Sequence, residues 1–186
     1  MNPLSPEIWS RGLPYSSYRR TVRRNGKIFD EVYHDPAFME EDLELLRRLP
    51  PLKVLAIGED WCPDVYHTLP TWVRAAEKLP GWELRIFARD ANLDVMSHFL
   101  WRRENQRIPV YAFYDEDNHL QLWWSGRSAL AQRDFDEKLA GRSFGSLDPE
   151  ERKRISEEIE EGYRHSFRRA NFEEILRLLR AFFHLE

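Results

Sequence analysis

The sequence predicts an α/β fold in which a central mixed β-sheet is flanked by helices, with helical extensions at both ends of the chain. Three observations predict it: short apolar runs typical of buried strands, amphipathic segments between these runs, and a polar four-residue turn that joins the last two predicted strands. The chain has 186 residues and 42% apolar content, which suits one domain with extensions and a substantial core. The expected order of elements is β-α-β-α-β-β.

The first strand and the helix that follows it form the centre of the predicted domain. Residues 53–57 are a short apolar run, as in a central strand with both faces buried. Apolar residues at steps of three and four then predict one amphipathic helix, which ends at Pro80-Gly81. The stripe consists of Val65, Leu69, Trp72, Val73, Ala76 and Leu79.

The second half of the domain is predicted from similar patterns. Residues 82–88 alternate like a strand, and residues 90–92 supply a turn and a helix N-cap. Strands at 110–114 and 120–124, joined by the polar turn 115–118, predict a hairpin. The helix between these parts is expected to turn four residues inward: Leu93, Met96, Phe99 and Leu100.

Helical extensions are predicted on both sides of a core at residues 51–140. The N-terminal extension, residues 1–50, is expected to contain two helices. One covers about 16–24 and ends at Asn25-Gly26, and the other runs from Asp35-Pro36 to just before Pro50-Pro51.

The C-terminal extension, residues 141–186, is expected to pack on the core. Asp148-Pro149 begins a charged helix in which Ile155, Ile159, Tyr163 and Phe167 recur every four residues. The final segment has a wide apolar face that must be covered, and the sheet is favoured over a second subunit. We therefore expect a monomer or a weak homodimer.

Residues 59–65, Glu-Asp-Trp-Cys-Pro-Asp-Val, contain the only cysteine of the chain, Cys62. A lone cysteine is more often a small buried hydrophobe than a reagent. Here Cys62 follows Trp61 and stands between a buried strand and the start of a helix, a position that lowers the pKa of a thiol. This position favours a partly exposed Cys62 that ionises readily.

The motif resembles that of the thioredoxin-like family with an Asp-Trp-Cys-X-Asp sequence. Two further points match: the turn at residues 90–93 and Pro109 at the start of the third strand. The resemblance covers roughly residues 50–140 and implies the thioredoxin-like fold. It also implies that Cys62 is the nucleophile and that the Ile108–Pro109 peptide bond is cis and faces it.

The same resemblance implies a substrate site around Cys62. Pro109 and the backbone of Ile108 would present an extended substrate segment, and Trp61 and Pro63 would shape the rim. No cofactor is implied.

Two positions depart from the thioredoxin pattern. Val65 stands where a resolving cysteine is expected, and Ala56 stands where thioredoxins usually place a buried acid. A mixed disulfide on Cys62 would have no internal thiol to release it, so an outside thiol such as glutathione must complete the exchange. The chemistry is therefore monothiol exchange or none.

Charges near Cys62 act in opposite directions. The helix N-terminus favours the thiolate, whereas the carboxylates of Glu59, Asp60 and Asp64 oppose it, and the motif contains no Lys or Arg. Distances decide this balance.

Other classes of site and partner are disfavoured. Cys62 and His67 are the only close Cys/His pair, and a spacing of five residues places them about 140° apart on a helix, so a metal site is not expected and His67 should lie on the surface. A net charge of −4 gives no general attraction to nucleic acid. The basic cluster that contains Arg24 is interpreted as a solvated helix face.

No apolar stretch is long enough to cross a membrane, and the N-terminus lacks the pattern of a secretory signal. A single cysteine excludes an intramolecular disulfide, so a cytoplasmic location is expected.

Two functions remain open. In the first, the chain is a monothiol oxidoreductase that acts through Cys62 on a protein or a small glutathione-like thiol. In the second, it is a redox-inactive binding or scaffold module that keeps the thioredoxin groove for contact.

Overall fold

A computed structural model describes residues 4–185, so the first three residues of the N-terminal extension and Glu186 lie outside the described residues. Its main sheet has four strands in the order β2-β1-β5-β6. β2 pairs parallel with β1, whereas β5 and β6 extend the sheet antiparallel. The mixed sheet and the final hairpin are confirmed. The strands are β1 (Lys53–Gly58), β2 (Glu83–Ala88), β3 (Leu100–Trp101), β4 (Asn105–Gln106), β5 (Val110–Tyr114) and β6 (Leu120–Ser125).

Ten α-helices surround this sheet within residues 4–185. A π-helical turn, Tyr163–Phe167, joins the last two of them. The helices are α1 (Pro6–Arg11), α2 (Tyr15–Thr21), α3 (Gly26–His34), α4 (Glu40–Leu46), α5 (Pro63–Tyr66), α6 (Leu69–Lys78), α7 (Leu93–Met96), α8 (Ala129–Leu139), α9 (Pro149–Gly162) and α10 (Arg168–Phe182).

Within residues 4–50 the N-terminal extension has four helices, so the prediction of two was wrong. Asn25 adopts a left-handed conformation and precedes α3, so Asn25-Gly26 begins a helix instead of ending one. The next helix starts at Glu40 and not at Pro36. There the carboxylate of Asp42 accepts the backbone N–H of Met39, which fixes the helix start later than the proline signal indicated.

The single helix predicted after Cys62 is divided into α5 and α6. Pro70 lies in the first turn of α6 and has no N–H to continue the hydrogen bonding of α5. The break falls at His67 and Thr68. Thr68 instead uses its hydroxyl to donate to the carbonyl of Asp64.

The helix predicted after Asn92 is only one turn long. Met96 and Phe99 are buried as expected, but Leu93 is exposed. Leu100 belongs to a small hairpin formed by β3 and β4, which the sequence patterns did not indicate.

Residues 129–167, which we call the cap, form a small helical layer with its own apolar cluster. The four residues predicted to recur along α9 and beyond are all buried in that cluster, as expected. The cluster consists of Ala131, Leu139, Leu147, Ile155, Ile159, Tyr163 and Phe167.

The final helix, α10, leaves the cap and joins the main core. The Phe172 ring lies 4.7 Å from the Trp72 ring, and the Trp124 indole donates to Glu174 at 2.8 Å. Ile175 and Leu179 are fully buried in the core. The apolar face of α10 therefore packs on the body of the domain.

Candidate functional site

Cys62 stands between β1 and α5, where it is the residue that precedes the first helical turn. Pro63 occupies that turn, and the backbone N–H groups of Val65 and Tyr66 donate to the carbonyl of Cys62. The thiol is only 7% exposed and donates to the carbonyl oxygen of Ile108 at 3.8 Å. The expectation of a partly exposed cysteine was wrong.

The surroundings of Cys62 favour the protonated thiol. Burial raises the pKa of Cys62 to about 12, and the nearby carboxylate of Asp64 adds to the rise. The backbone N–H groups of Val65 and Asp64 and the guanidinium of Arg127 act in the opposite direction but do not outweigh burial. The expectation that Cys62 ionises readily is therefore corrected, because desolvation exceeds the effect of the helix N-terminus.

The two positions that depart from the thioredoxin pattern are both apolar and buried. Val65 is fully buried and packs so closely on Gly58 that a Cβ there would lie 2.7 Å from a Val65 methyl group. Ala56 is buried in the middle of β1. Neither side chain can accept a proton or exchange with a disulfide.

Asp64 is the centre of a buried polar cluster that the sequence motif did not reveal. Arg127 Nη2 donates to Asp64 Oδ2 at 2.6 Å, and the Tyr163 hydroxyl donates to Asp64 Oδ1. Burial raises the pKa of Asp64, although Arg127 and Tyr163 oppose the rise. Arg127 also lies over the ring of Phe135 at 4.1 Å. Because Arg127 is far from the motif in sequence, its role depends on the fold.

His67 lies inside the protein, so its prediction as a surface residue was wrong. Its Nδ1 accepts from Arg168 at 2.9 and 3.1 Å, and its Nε2 lies 2.8 Å from Glu160 Oε2. Burial lowers the pKa of His67, although Glu160 opposes this. The neutral ring therefore carries its hydrogen on Nε2 and donates to Glu160. The Tyr163 ring stacks on it at 4.5 Å.

Glu160 completes this second cluster. Its Oε1 accepts from the hydroxyl of Tyr66. Burial alone would raise the pKa of Glu160, but the hydrogen bonds from His67 and Tyr66 outweigh it and lower the pKa. The ionised carboxylate of Glu160, a cap residue, thus contacts Tyr66 and His67, which directly follow the Cys62 motif.

A cavity of about 530 Å³ lies beside Cys62, between the motif and the cap. Trp61 and Pro63 border it on the motif side. Trp61 is 41% exposed, and Arg89 lies 5.1 Å above its ring. The other lining residues are Arg24, Asn25, Asp64, Tyr66, Arg127, Phe135, Phe144, Ser156, Ile159 and Glu160.

Ile108 and Pro109 lie on the far side of Cys62. The peptide bond between them is cis, and the Pro109 carbonyl accepts from the N–H of Gly126 at 2.8 Å. A space of only about 100 Å³ remains beside Ile108, and Arg127 and Phe135 border it. Of the predicted site residues, Trp61 and Pro63 thus flank Cys62 and Ile108 accepts its thiol, but Arg127 and the cap residue Phe135 border the face on which a substrate segment was expected.

The carboxylates of Glu59 and Asp60 hold backbone segments in place. Glu59 accepts the N–H of Asp90 at 2.8 Å, and Asp60 accepts those of Arg23 and Arg24 at 2.7 and 2.9 Å. Asp64, in contrast, adds to the raised pKa of the thiol.

Within residues 4–185, no group of three or more His, Cys, Asp or Glu side chains could hold a metal ion. None of the helices in the same range is long and apolar enough to cross a membrane.

Two solved structures resemble this fold. The crystal structure of an HIV epitope-scaffold matches with a TM-score of 0.64 and 16% identity, over 94% of this chain and 96% of that chain. A protein of unknown function from Pseudomonas aeruginosa matches with a TM-score of 0.54 and 17% identity, over 92% of this chain and 88% of that chain. These likenesses concern the fold alone.

No curated protein matches the sequence. A protein-family model described as thioredoxin matches residues 12–138, which are more than half of the chain. The match includes the Cys62 motif, all six strands and most of the N-terminal helices. The chain therefore belongs to this thioredoxin family.

Proposed function

We propose that this protein is a thioredoxin-fold binding module that holds a ligand in the cavity beside Cys62 and does not catalyse disulfide exchange on its own. One observation carries the proposal: Cys62 is buried, hydrogen-bonded to Ile108 and bordered by an apolar Val65. Cys62 lines one side of a partly open cavity together with Trp61 and Pro63, and the cap lines the opposite side.

The thiol pKa supports binding over catalysis. A thiol with a pKa near 12 is ionised to only about 1 part in 100,000 at pH 7, whereas an ordinary thiol is ionised to a few per cent. Because the thiolate is the attacking species, the exchange rate falls with it. A protonated Cys62 acts as a small apolar wall residue with a weak donor.

The cavity has the properties of a small-molecule site. Its volume of about 530 Å³ lies in the usual range for ligand pockets. Aromatic and aliphatic side chains supply most of the lining, with a few charged groups among them. Such a combination binds an apolar body and orients it by a small number of polar contacts.

A second candidate function is monothiol exchange, and one observation favours it. The backbone N–H groups of Asp64 and Val65, at the start of α5, lower the pKa of Cys62 and so favour its thiolate against the effect of burial. In this alternative the thiolate attacks a disulfide, forms a mixed disulfide and releases one thiolate. A glutathione thiolate then attacks the mixed disulfide and restores Cys62. We also infer a reducing, cytoplasmic compartment from the single cysteine.

The two functions are separated by glutathione-dependent turnover. The purified protein is incubated with a small mixed disulfide, glutathione, glutathione reductase and NADPH, and NADPH oxidation is followed. We expect the rate to equal that of a Cys62→Ser control. A turnover rate clearly above that of the control would contradict the binding-module function and support monothiol exchange.

A further inference from the structure

We propose that the cap makes the Cys62 site selective for small molecules with an apolar body and excludes extended polypeptides. The inference rests on the proposed function, because it names the class of ligand that the cavity takes. Three features of the described residues support it: the covered groove at Ile108, the buried contacts that hold the cap, and the lining of the cavity.

The first feature is the position of Arg127 and Phe135. Both side chains border the large cavity at Cys62 and the small space at Ile108. A substrate strand of four residues is about 13 Å long and would lie beside the Ile108 backbone. Only about 100 Å³ remains there, and the Cys62 thiol already donates to the Ile108 carbonyl. A strand can bind only after these side chains move.

The second feature is the set of contacts that hold the cap. Tyr163 and Glu160 of the cap reach across to the motif: Tyr163 donates to Asp64, and Glu160 accepts from Tyr66 and His67. Moving the cap would separate buried hydrogen-bonding partners and leave the carboxylate of Asp64 without one of its donors. Such separation is unfavourable, so the closed arrangement dominates.

The third feature is the chemistry of the lining. Trp61, Phe135, Phe144 and Ile159 form apolar walls, and Ser156 and Glu160 add polar atoms on the cap side. Arg24 also borders the cavity, and its guanidinium has no ion-pair partner among residues 4–185. An aromatic or aliphatic molecule with a polar end fits these groups, since its apolar part contacts the walls.

The test compares two methanethiosulfonates of identical reactive chemistry. One carries a benzyl group, and the other carries the same group with a long polyethylene glycol chain attached to its ring. In both, the Cys62 thiolate attacks the sulfenyl sulfur, a mixed disulfide forms and methanesulfinate leaves. Because Cys62 is the only cysteine, each labelling rate reports on this site alone. The reactions are followed by intact-protein mass at one alkaline pH.

We expect the polymer-linked reagent to react about 100-fold more slowly, because its substituted ring must pass Phe135 and Phe144 to reach the sulfur, which requires a local opening of the cap. Glu160→Ala should reduce this difference by about tenfold, since it removes the contacts with Tyr66 and His67. Glu157→Ala is the matched control, because Glu157 lies on the same helix but is exposed and pairs only with Lys153.

Equal rates for the two reagents on the unaltered protein would overturn the inference, whatever the variants do. The ratio of the two rates does not depend on the thiolate fraction, which is the same for both reagents. A low thiol pKa or glutathione turnover would therefore contradict the proposed function while leaving the size selectivity to be judged from this ratio.

Discussion

Cys62 shows how much a single residue depends on atoms that are distant in sequence. The motif places it correctly between a strand and a helix, and the sequence also identified the missing resolving thiol at Val65. Its ionisation could not be predicted from the motif, because the thiol is buried in the main core and its pKa is also affected by Arg127, which is distant in sequence. His67 was misplaced for the same reason, since its partners Glu160 and Arg168 follow it by about a hundred residues.

The raised pKa of Cys62 predicts a specific loss of stability at alkaline pH. The folded protein keeps the thiol proton between pH 9 and about 12, whereas the unfolded chain loses it above about pH 9. The contribution of Cys62 to the free energy of unfolding is therefore fully present below pH 9. It is lost as the pH rises from 9 through the folded pKa of about 12. From pH 7 to 10 this group lowers the free energy of unfolding by about 1.4 kcal/mol.

Urea unfolding of the unaltered protein and of Cys62→Ala, each at pH 7 and 10, measures this effect. The difference in unfolding free energy between the unaltered protein and Cys62→Ala should be smaller at pH 10 than at pH 7 by about 1.4 kcal/mol. Titration of the tyrosines does not affect this difference, because both proteins contain the same tyrosines. An advantage that is the same at both pH values would contradict a raised pKa.

Restoring the missing thiol at Val65 tests the groove directly. Val65 and Cys62 are one turn apart, since the Val65 N–H donates to the Cys62 carbonyl at 3.0 Å. A disulfide requires an α-carbon separation of about 4.4–6.8 Å, which we expect one turn to provide. We expect Val65→Cys to form an internal disulfide on oxidation, seen as a loss of two hydrogens by mass. It should not reduce insulin, because the cap covers the site. Insulin reduction that disappears in the Cys62→Ser, Val65→Cys double mutant would instead indicate an accessible, working groove.

Among the elements, the turn at Tyr163–Phe167 determines how the cap meets the core. The apolar spacing predicted the buried face of this segment, but not its π-helical geometry, which places Tyr163 on both Asp64 and His67. The break between α5 and α6 has a visible sequence cause in Pro70. The apolar stripe nevertheless continues across this break without interruption, so periodicity alone predicts one helix.

Gly162 directly precedes the π-helical turn, and its substitution tests the packing of the Phe167 ring against it. An added Cβ would lie 2.1 Å from an atom of the Phe167 ring, which fills a position in the cap cluster. Alanine in a helix normally gains up to about 1 kcal/mol over glycine. Here we expect Gly162→Ala to destabilise the protein by about 1–3 kcal/mol, because overpacking outweighs helix propensity.

The matched control for this experiment is Gly145→Ala in the cap loop, where no atom lies within 4 Å of the added Cβ. Its unfolding free energy should change by less than about 0.5 kcal/mol. Thermal or urea unfolding of both variants gives the comparison. Equal stabilities for the two variants would mean that Phe167 does not pack against Gly162 as described.

At the scale of the whole molecule, the chain folds its two ends around one sheet. The mixed sheet, the hairpin and the presence of helical extensions followed from the sequence, because buried strands and amphipathic segments carry strong local patterns. The covering of the site by the cap did not, since it depends on contacts of Glu160 and Tyr163 with residues near Cys62. Local periodicity predicts that α9 buries one of its faces, but it does not predict which other residues of the chain pack against that face.

Substitution of Phe172 tests whether α10 packs as part of the main core together with α6 and the N-terminal extension. Its ring packs on Trp72 at 4.7 Å and on Phe38 at 6.0 Å, so it joins the C-terminal helix to α6 and to the N-terminal extension. Phe172→Ala should destabilise the protein by about 3–5 kcal/mol in one cooperative transition. Phe182→Ala, at a residue that is 44% exposed, should cost much less. A large effect confined to a separate C-terminal transition would show that α10 is not part of the main core.

The central claim is that Cys62 is a buried, protonated wall residue of a ligand cavity, and its alkylation by iodoacetamide as a function of pH tests this most directly. The second-order rate constant is measured by intact mass from pH 6 to 11, with urea-unfolded protein as the control. In the folded protein we expect the rate to keep rising to the highest pH without a plateau, because the pKa lies near 12. The unfolded control should level off above its ordinary pKa of about 9. A plateau below pH 8 in the folded protein would contradict the claim and identify Cys62 as an ionised nucleophile.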